Sequence, residues 1–172
     1  MILSFTGAQS TGKTTLLNSL KDRHYANYEY KFVPEVTRKV QREFNLPINE
    51  EGNLLTQTMI IAEHIRNVCT ADPKVTNILD RCIVDGLVYT TWLYRNNQVP
   101  YTIYQHCSDI YDALINKYDI IFYTSAEGVP LEDDGERSVD KDFRQEILHE
   151  FERVIIPLSL SLIHISEPTR PY

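Results

Sequence analysis

Apolar residues in this chain follow two rhythms: short unbroken runs, and longer stretches that return every three or four positions. "MILSFT", ended by Gly7, is a run of the first kind and predicts a strand buried on both faces. "YEYKFV", stopped by Pro34, "TNILD", after the turn signal "ADPK", and "IIFYT" predict three more. Helical spacing lies between them. Leu16, Leu17 and Leu20 mark a helix over 14–21, and Val36, Val40 and Phe44 mark one in "EVTRKVQREF". Leu54, Thr58, Ile61, Ile65 and Cys69 define one face of a long helix; further helices are predicted over 102–117 and from about residue 141 to 154. "LPINEEGN" reads as a connector, and the polar "SAEGVPLEDDGERSVD" separates the fourth strand from the last helix. Strands alternating with helices predict an α/β fold around a mostly parallel sheet.

Composition narrows the class. The 172 residues are enough for one domain, and with a formal charge of −7 and acidic and basic residues intermixed there is no basic stripe to neutralise a nucleic-acid backbone. No nucleic-acid polymer is expected as a partner. Cys69, Cys82 and Cys107 are odd in number and lack metal or redox spacing, so buried free thiols in a reducing compartment are expected. With no signal-peptide pattern and no membrane-length apolar run, the expected location is the cytoplasm, away from membranes.

The chemistry begins at "GAQSTGKT", which satisfies G-x-x-x-x-G-K-[ST] between a buried strand and a helix start. Gly7, Ala8, Gln9, Ser10, Thr11, Gly12, Lys13, Thr14 and Thr15 form the candidate phosphate cradle, whose consecutive backbone N–H groups and helix N-terminus suit phosphate oxygens. Lys13 supplies charge to the β and γ phosphates, and the Thr14 hydroxyl is placed to ligate Mg²⁺.

In open parallel sheets ligands bind beyond the carboxyl ends of the strands, so polar residues there carry the most weight. Asp80, after the third strand, suits a metal ligand or proton acceptor; Arg81 beside it suits a contact to substrate or transferring phosphate. Glu35 follows the second strand, with Arg38 on the same face of the next helix, a pair able to hold an acceptor. "LEDDGERS" suits a closing lid that brings in an arginine, Arg137 first and Arg144 second. "NKYD" at 116–119 matches the guanine-reading motif of GTPases but precedes a strand instead of following one, so it predicts a helix end and a turn.

Taken together, "TGAQSTGKTTL", "VPEVTR", "ILDR" and "DDGERS" resemble the P-loop kinase domain of NadR-type ribosylnicotinamide kinases and related AAA-type ATPases. The resemblance implies a P-loop NTPase fold with parallel strand order 2-3-1-4 and a native fifth strand. It also implies ATP with Mg²⁺ as donor, a nucleoside-like 5′-hydroxyl as acceptor, Asp80 as catalytic or metal-organising aspartate and Arg137 as lid arginine. Glu35 is similar to the acidic residue of deoxynucleoside kinases, and Asp80-Arg81-Cys82 is closer to their D-R than to the D-T-D of NadR-type enzymes. Residues 160–170, "LSLIHISEPTR", resemble a translated sequencing adapter codon by codon. The expected division is therefore a nucleoside-kinase-like domain over 1–157, truncated before its native fifth strand, and a non-native tail over 158–172. Alternation in that tail suits a strand along the open edge of strand four.

These readings converge on an ATP-dependent kinase in which Lys13, Asp80, Glu35 and Arg137 carry catalysis. Glu35, Arg38 and Arg81 hold a nicotinamide riboside-like or (deoxy)nucleoside acceptor, and Thr14 and Asp80 hold the metal. The alternatives are a nucleoside monophosphate kinase and an ATP-binding switch with slow hydrolysis and no acceptor. Whether Asp80 or Glu35 takes the proton stays open at this level.

Overall fold

The four apolar runs become β1 (Ile2–Thr6), β2 (Tyr30–Val33), β3 (Thr76–Asp80) and β4 (Ile120–Thr124). The structure is a computed structural model that describes residues 1–22, 29–126, 140–158 and 162–165. These strands pair in parallel in the order β2-β3-β1-β4, and a further strand, β5 (Leu162–Ile165), runs parallel along the outside of β4. That edge is where the alternation near the end of the chain predicts a strand. Among the described residues six α-helices connect or flank the sheet: α1 (Lys13–Asp22), α2 (Val36–Phe44), α3 (Leu54–Cys69), α4 (Ile83–Arg95), α5 (Tyr101–Leu114) and α6 (Lys141–Ile155).

Two cores sandwich the sheet. On one side Leu79 and Ile121 pack with Ile83, Val84 and Val88 of α4 and with Phe143, Ile147 and Phe151 of α6. On the other, Phe5 and Ile78 pack against Leu17 of α1, and Phe5 stacks on Phe122 with ring centroids 4.8 Å apart. Central strands covered on both faces explain why their sequences read as continuous apolar runs.

Several expectations need correction. Helix α4 has no counterpart in the sequence reading, because it is enclosed on several sides. Its buried positions include Ile83, Val84, Asp85, Gly86, Val88, Thr90 and Leu93, which erases a one-sided period. In α3 the buried face is Thr56, Gln57, Ile60, Ile61 and His64, which shares only Ile61 with the predicted stripe. Leu54 is exposed and the polar Gln57 is buried because its Oε1 accepts a hydrogen bond from Thr90 at 3.0 Å. Phe44 is exposed where α2 ends at a left-handed Asn45, and Cys69, predicted buried, is exposed at the end of α3. Cys82 and Cys107 are buried free thiols as expected. Asn116 and Lys117 close a 3₁₀ turn before β4, and the Asp119 carboxylate accepts a hydrogen bond from the Ile2 N–H at 2.6 Å, so "NKYD" ends a helix and starts a turn. Among the described residues no helix is long and apolar enough to cross a membrane.

Candidate active site

The loop between β1 and α1 turns on two glycines in the left-handed half of backbone space, Gly7 at φ 141° and Gly12 at φ 79°. A Cβ at Gly7 would lie 2.6 Å from both the carbonyl and hydroxyl oxygens of Thr124, so β4 packs directly on the loop's first turn. Thr124 Oγ1 also donates to the Thr6 carbonyl at 3.1 Å and touches Thr11 Oγ1 at 2.7 Å. From α6, Arg144 Nη2 donates to the Ser10 carbonyl at 3.3 Å. The loop is thus braced by elements distant in sequence.

Lys13 is buried and folded back on its own loop, its Nζ donating to the carbonyls of Gly7 (2.8 Å) and Ala8 (2.5 Å) and to Thr11 Oγ1 (3.0 Å). Burial, with the Arg81 charge nearby, pulls this lysine down to about 7. An anion over the loop restores the missing charge partner, the environment a phosphate-binding lysine requires.

At the ends of β2 and β3 the predicted residues converge. Pro34 and Glu35 turn the chain into α2, and Glu35 sits one residue before the helix, not inside its first turn. Its carboxylate accepts Arg38 Nε at 3.1 Å on Oε2 and Arg81 Nε at 2.6 Å on Oε1. Arg81 is buried, not a surface arginine, and holds a left-handed φ of 77°. Its Nη1 donates to Asp85 Oδ1 at 2.8 Å, so one guanidinium bridges two carboxylates. Its backbone N–H donates to the Phe5 carbonyl at 2.9 Å, which ties the strained residue to β1. Burial pushes the Glu35 carboxyl up, but Arg81, with Lys13 and Arg38 behind it, outweighs this and holds it below the ordinary glutamate value.

Asp80 behaves oppositely. Burial and the neighbouring Glu35 charge raise it to about 6, and its buried Oδ1 has no hydrogen-bond partner. Thr14, Asp80, Glu35 and Arg38 line one open cleft of about 500 Å³. Asp80, with one carboxylate oxygen unmatched, and the hydroxyl-bearing Thr14 line the same cleft, a donor set that fits Mg²⁺ held jointly with nucleotide phosphates.

Sequence reasoning missed the residues behind this front. Asp85 accepts Thr6 Oγ1 at 2.7 Å and the Cys82 N–H at 3.0 Å, both on Oδ2, while Oδ1 takes Arg81. A carboxylate three residues after the residue that caps a helix, here Cys82, is capping-box spacing, a signal present once α4 is seen. Tyr89 lies under Arg81, with the guanidinium 5.6 Å from the ring centroid, and donates to Gln9 Oε1 at 3.1 Å. His64 is buried next to Gly86, and burial drives it down to about 4, so it is neutral. Arg137 and the rest of "LEDDGERS" lie outside the described residues.

The loop, the strand order and the strand-end carboxylates agree with a family assignment, which comes from the match of the family described as AAA domain to residues 3–169. The chain belongs to that family. Among solved structures, this AAA domain is similar to a deoxyadenosine kinase from M. mycoides with the products dCMP and a flexible dCDP bound: 13% identity, TM-score 0.67, covering 96% of this chain and 90% of that one. It is also similar to NadR protein in complex with NR: 20% identity, TM-score 0.70, covering 99% of this chain and 47% of that one. The chain therefore spans about half the length of NadR. No curated protein matches it. At these identities the two likenesses show the fold. The AAA domain is a nucleotide-using P-loop protein, a phosphotransferase or ATPase.

Proposed function

We propose that this AAA domain is an ATP-dependent kinase that transfers the γ-phosphoryl group to the hydroxyl of a nucleoside-like small molecule. The observation that carries the reading is the cleft in which Glu35, fixed by two guanidiniums, shares a wall with Asp80 and Thr14 beside the phosphate loop. A hydrolase that activates water needs no such second compartment, whereas a kinase must exclude water and orient an acceptor. The two structural neighbours, one solved with nucleotide products and one with NR, support the same reading.

In this mechanism Gly7 to Thr15 cradle the triphosphate, and Lys13 turns from its own loop's carbonyls to the β and γ phosphates. Mg²⁺ between Thr14 and Asp80 would neutralise charge on the phosphate oxygens. Arg81 keeps Glu35 ionised and immobile, and Glu35 with Arg38 orients the acceptor. The hydroxyl proton passes to a carboxylate as the oxygen attacks. Asp80 is better placed to receive it, through whichever oxygen is not committed to Mg²⁺, than Glu35, whose two oxygens already hold arginines.

The test is ADP release by the full chain with Mg-ATP across a panel of nucleosides and nucleotides. Acceptor-stimulated turnover is expected, and D80N should lower kcat at least a hundredfold. Nucleotide binding with slow, acceptor-independent hydrolysis would instead establish the switch reading.

A further inference from the structure

Gln9 holds a place in the phosphate loop that backbone cradling does not account for. Its side chain is buried, with the residue 2% exposed, and its Oε1 accepts the Tyr89 hydroxyl at 3.1 Å. Its Nε2 is buried as well and has no hydrogen-bond partner. An amide NH₂ carries two donors and no acceptor, and buried donors are matched as a rule. Nearby in the loop, buried donors are spent internally: Thr11 Oγ1 on the Ala8 carbonyl at 3.0 Å, and Lys13 on the carbonyls of Gly7 and Ala8.

The setting of Tyr89 decides which end of the amide it takes. Arg81 lies against the ring, its guanidinium 5.6 Å from the centroid, and hydrogen-bonds the Tyr89 side chain. A guanidinium only donates, so the Tyr89 oxygen is the acceptor there and its proton goes to Gln9, which offers Oε1 in return. That leaves Nε2 over. A brace from α4 to the loop needs the oxygen alone, so bracing explains half of this side chain.

The surroundings supply the other half. Gln9 belongs to the loop that takes the nucleotide, where the acceptors a second molecule brings are phosphate oxygens. Through Tyr89 it is joined to Arg81, and Arg81 holds Glu35 at 2.6 Å on the acceptor side. In a kinase the phosphate nearest the acceptor is the one transferred. A neutral amide donating to an anionic oxygen makes a charge-assisted bond, stronger than one between neutral groups.

We propose that Gln9 reads the γ-phosphate: its Nε2 donates to a γ-phosphate oxygen of the bound triphosphate, and Tyr89 holds the amide in the orientation that permits this. Which end of the triphosphate meets α4 is taken from the kinase reading above, and the inference rests on that reading to this extent. Gln9 is then a ligand-contacting residue and Tyr89 a positioning residue. A diphosphate leaves the donor unmatched, so the loop distinguishes the nucleotide that enters from the one that leaves.

The experiment measures binding of a non-hydrolysable ATP analogue and of ADP, each with Mg²⁺ and without acceptor, to the full chain and to Q9L, Q9E and Y89F. The readout is the ratio of the ADP Kd to the analogue Kd, because a loop that is merely loosened loses both ligands alike. Q9L should lower this ratio about tenfold, Q9E at least as much because a carboxylate replaces the donor, and Y89F about threefold. Adding Y89F to Q9L should lower it no further, since both act on one hydrogen bond. In the unaltered chain the Gln9 side-chain amide resonance, identified by its absence from Q9E, should move further with the analogue than with ADP. An unchanged ratio in Q9L would overturn the inference, whatever the separate losses; should Q9L not fold, equal amide shifts with the two ligands would do so. A lowered ratio without acceptor-stimulated ADP release would remove the kinase reading and leave Gln9 as the γ-phosphate reader of a nucleotide switch.

Discussion

Lys13 makes a sharp prediction about protons. In the free protein burial lowers it to about 7, so at pH 8.5 only about 3% of molecules carry the ammonium. A triphosphate over the loop supplies the missing countercharge and returns the group to at least its ordinary value near 10.5. Nucleotide binding at pH 8.5 should therefore take up close to one proton. Restoring the charge at that pH costs about 2 kcal/mol, drawn from binding. Because the free-state value is crossed near pH 7, affinity should fall about eightfold between pH 7.5 and 8.5, a range in which the terminal phosphate is already ionised.

The assay is titration calorimetry with a non-hydrolysable ATP analogue in buffers of different ionisation enthalpy, whose slope counts protons. A slope near one at pH 8.5, vanishing in K13M, is the expected result. Intact binding with no buffer dependence at pH 8.5 would show that Lys13 is already charged in the free loop and would refute the reasoning.

Other consequences are more direct. G7A places a methyl 2.6 Å from Thr124 at a backbone angle that L side chains avoid, so nucleotide binding should be lost, as read by a fluorescent ATP analogue. R81K removes a fork that reaches Glu35 through Nε and Asp85 through Nη1; stability in denaturant should drop by about 3 kcal/mol, with at least a hundredfold loss of turnover. His64 is held at about 4 in the fold against 6.5 when exposed, so the unfolded chain binds its proton first as pH falls and stability is lost on acidification. Between pH 7 and 5 the stability difference between wild type and H64Q should therefore move by about 2 kcal/mol in favour of the variant, and a pH-independent difference would show that His64 is already solvated.

How much of this was written in the chain depends on what each residue faces. β3 and β4 were legible to the residue because strands covered on both faces leave unbroken apolar runs. Glu35, Arg38, Asp80 and Arg81 were legible because strand ends in a parallel sheet point at the ligand crevice. Helix α4 was not, since a helix buried on several sides has no polar face to set its period. The α3 face was misread for a related reason: Gln57 and His64 point inward, and polar residues turned toward a site look like solvent positions in the sequence. Asp85 fell with the helix that carries it.

Asp85 also links the phosphate loop to Glu35. Thr6, the last residue of β1 before the phosphate loop, donates to Asp85; Asp85 fixes Arg81, and Arg81 fixes Glu35. Thr6, Asp85 and Arg81 are buried and Glu35 is partly so, and each hydrogen bond restricts the next, so Glu35 is referenced to the start of the phosphate loop. Arg81 combines a positive φ with a guanidinium that reaches carboxylates from two different helix starts, and its N–H is bonded to the Phe5 carbonyl. Such registration has little use in a loop that only binds or hydrolyses a nucleotide. It is the requirement for in-line transfer to a second molecule, where an error of about 1 Å costs about a hundredfold in rate. Asp80 lines the same cleft, and its buried Oδ1 has no hydrogen-bond partner in this frame.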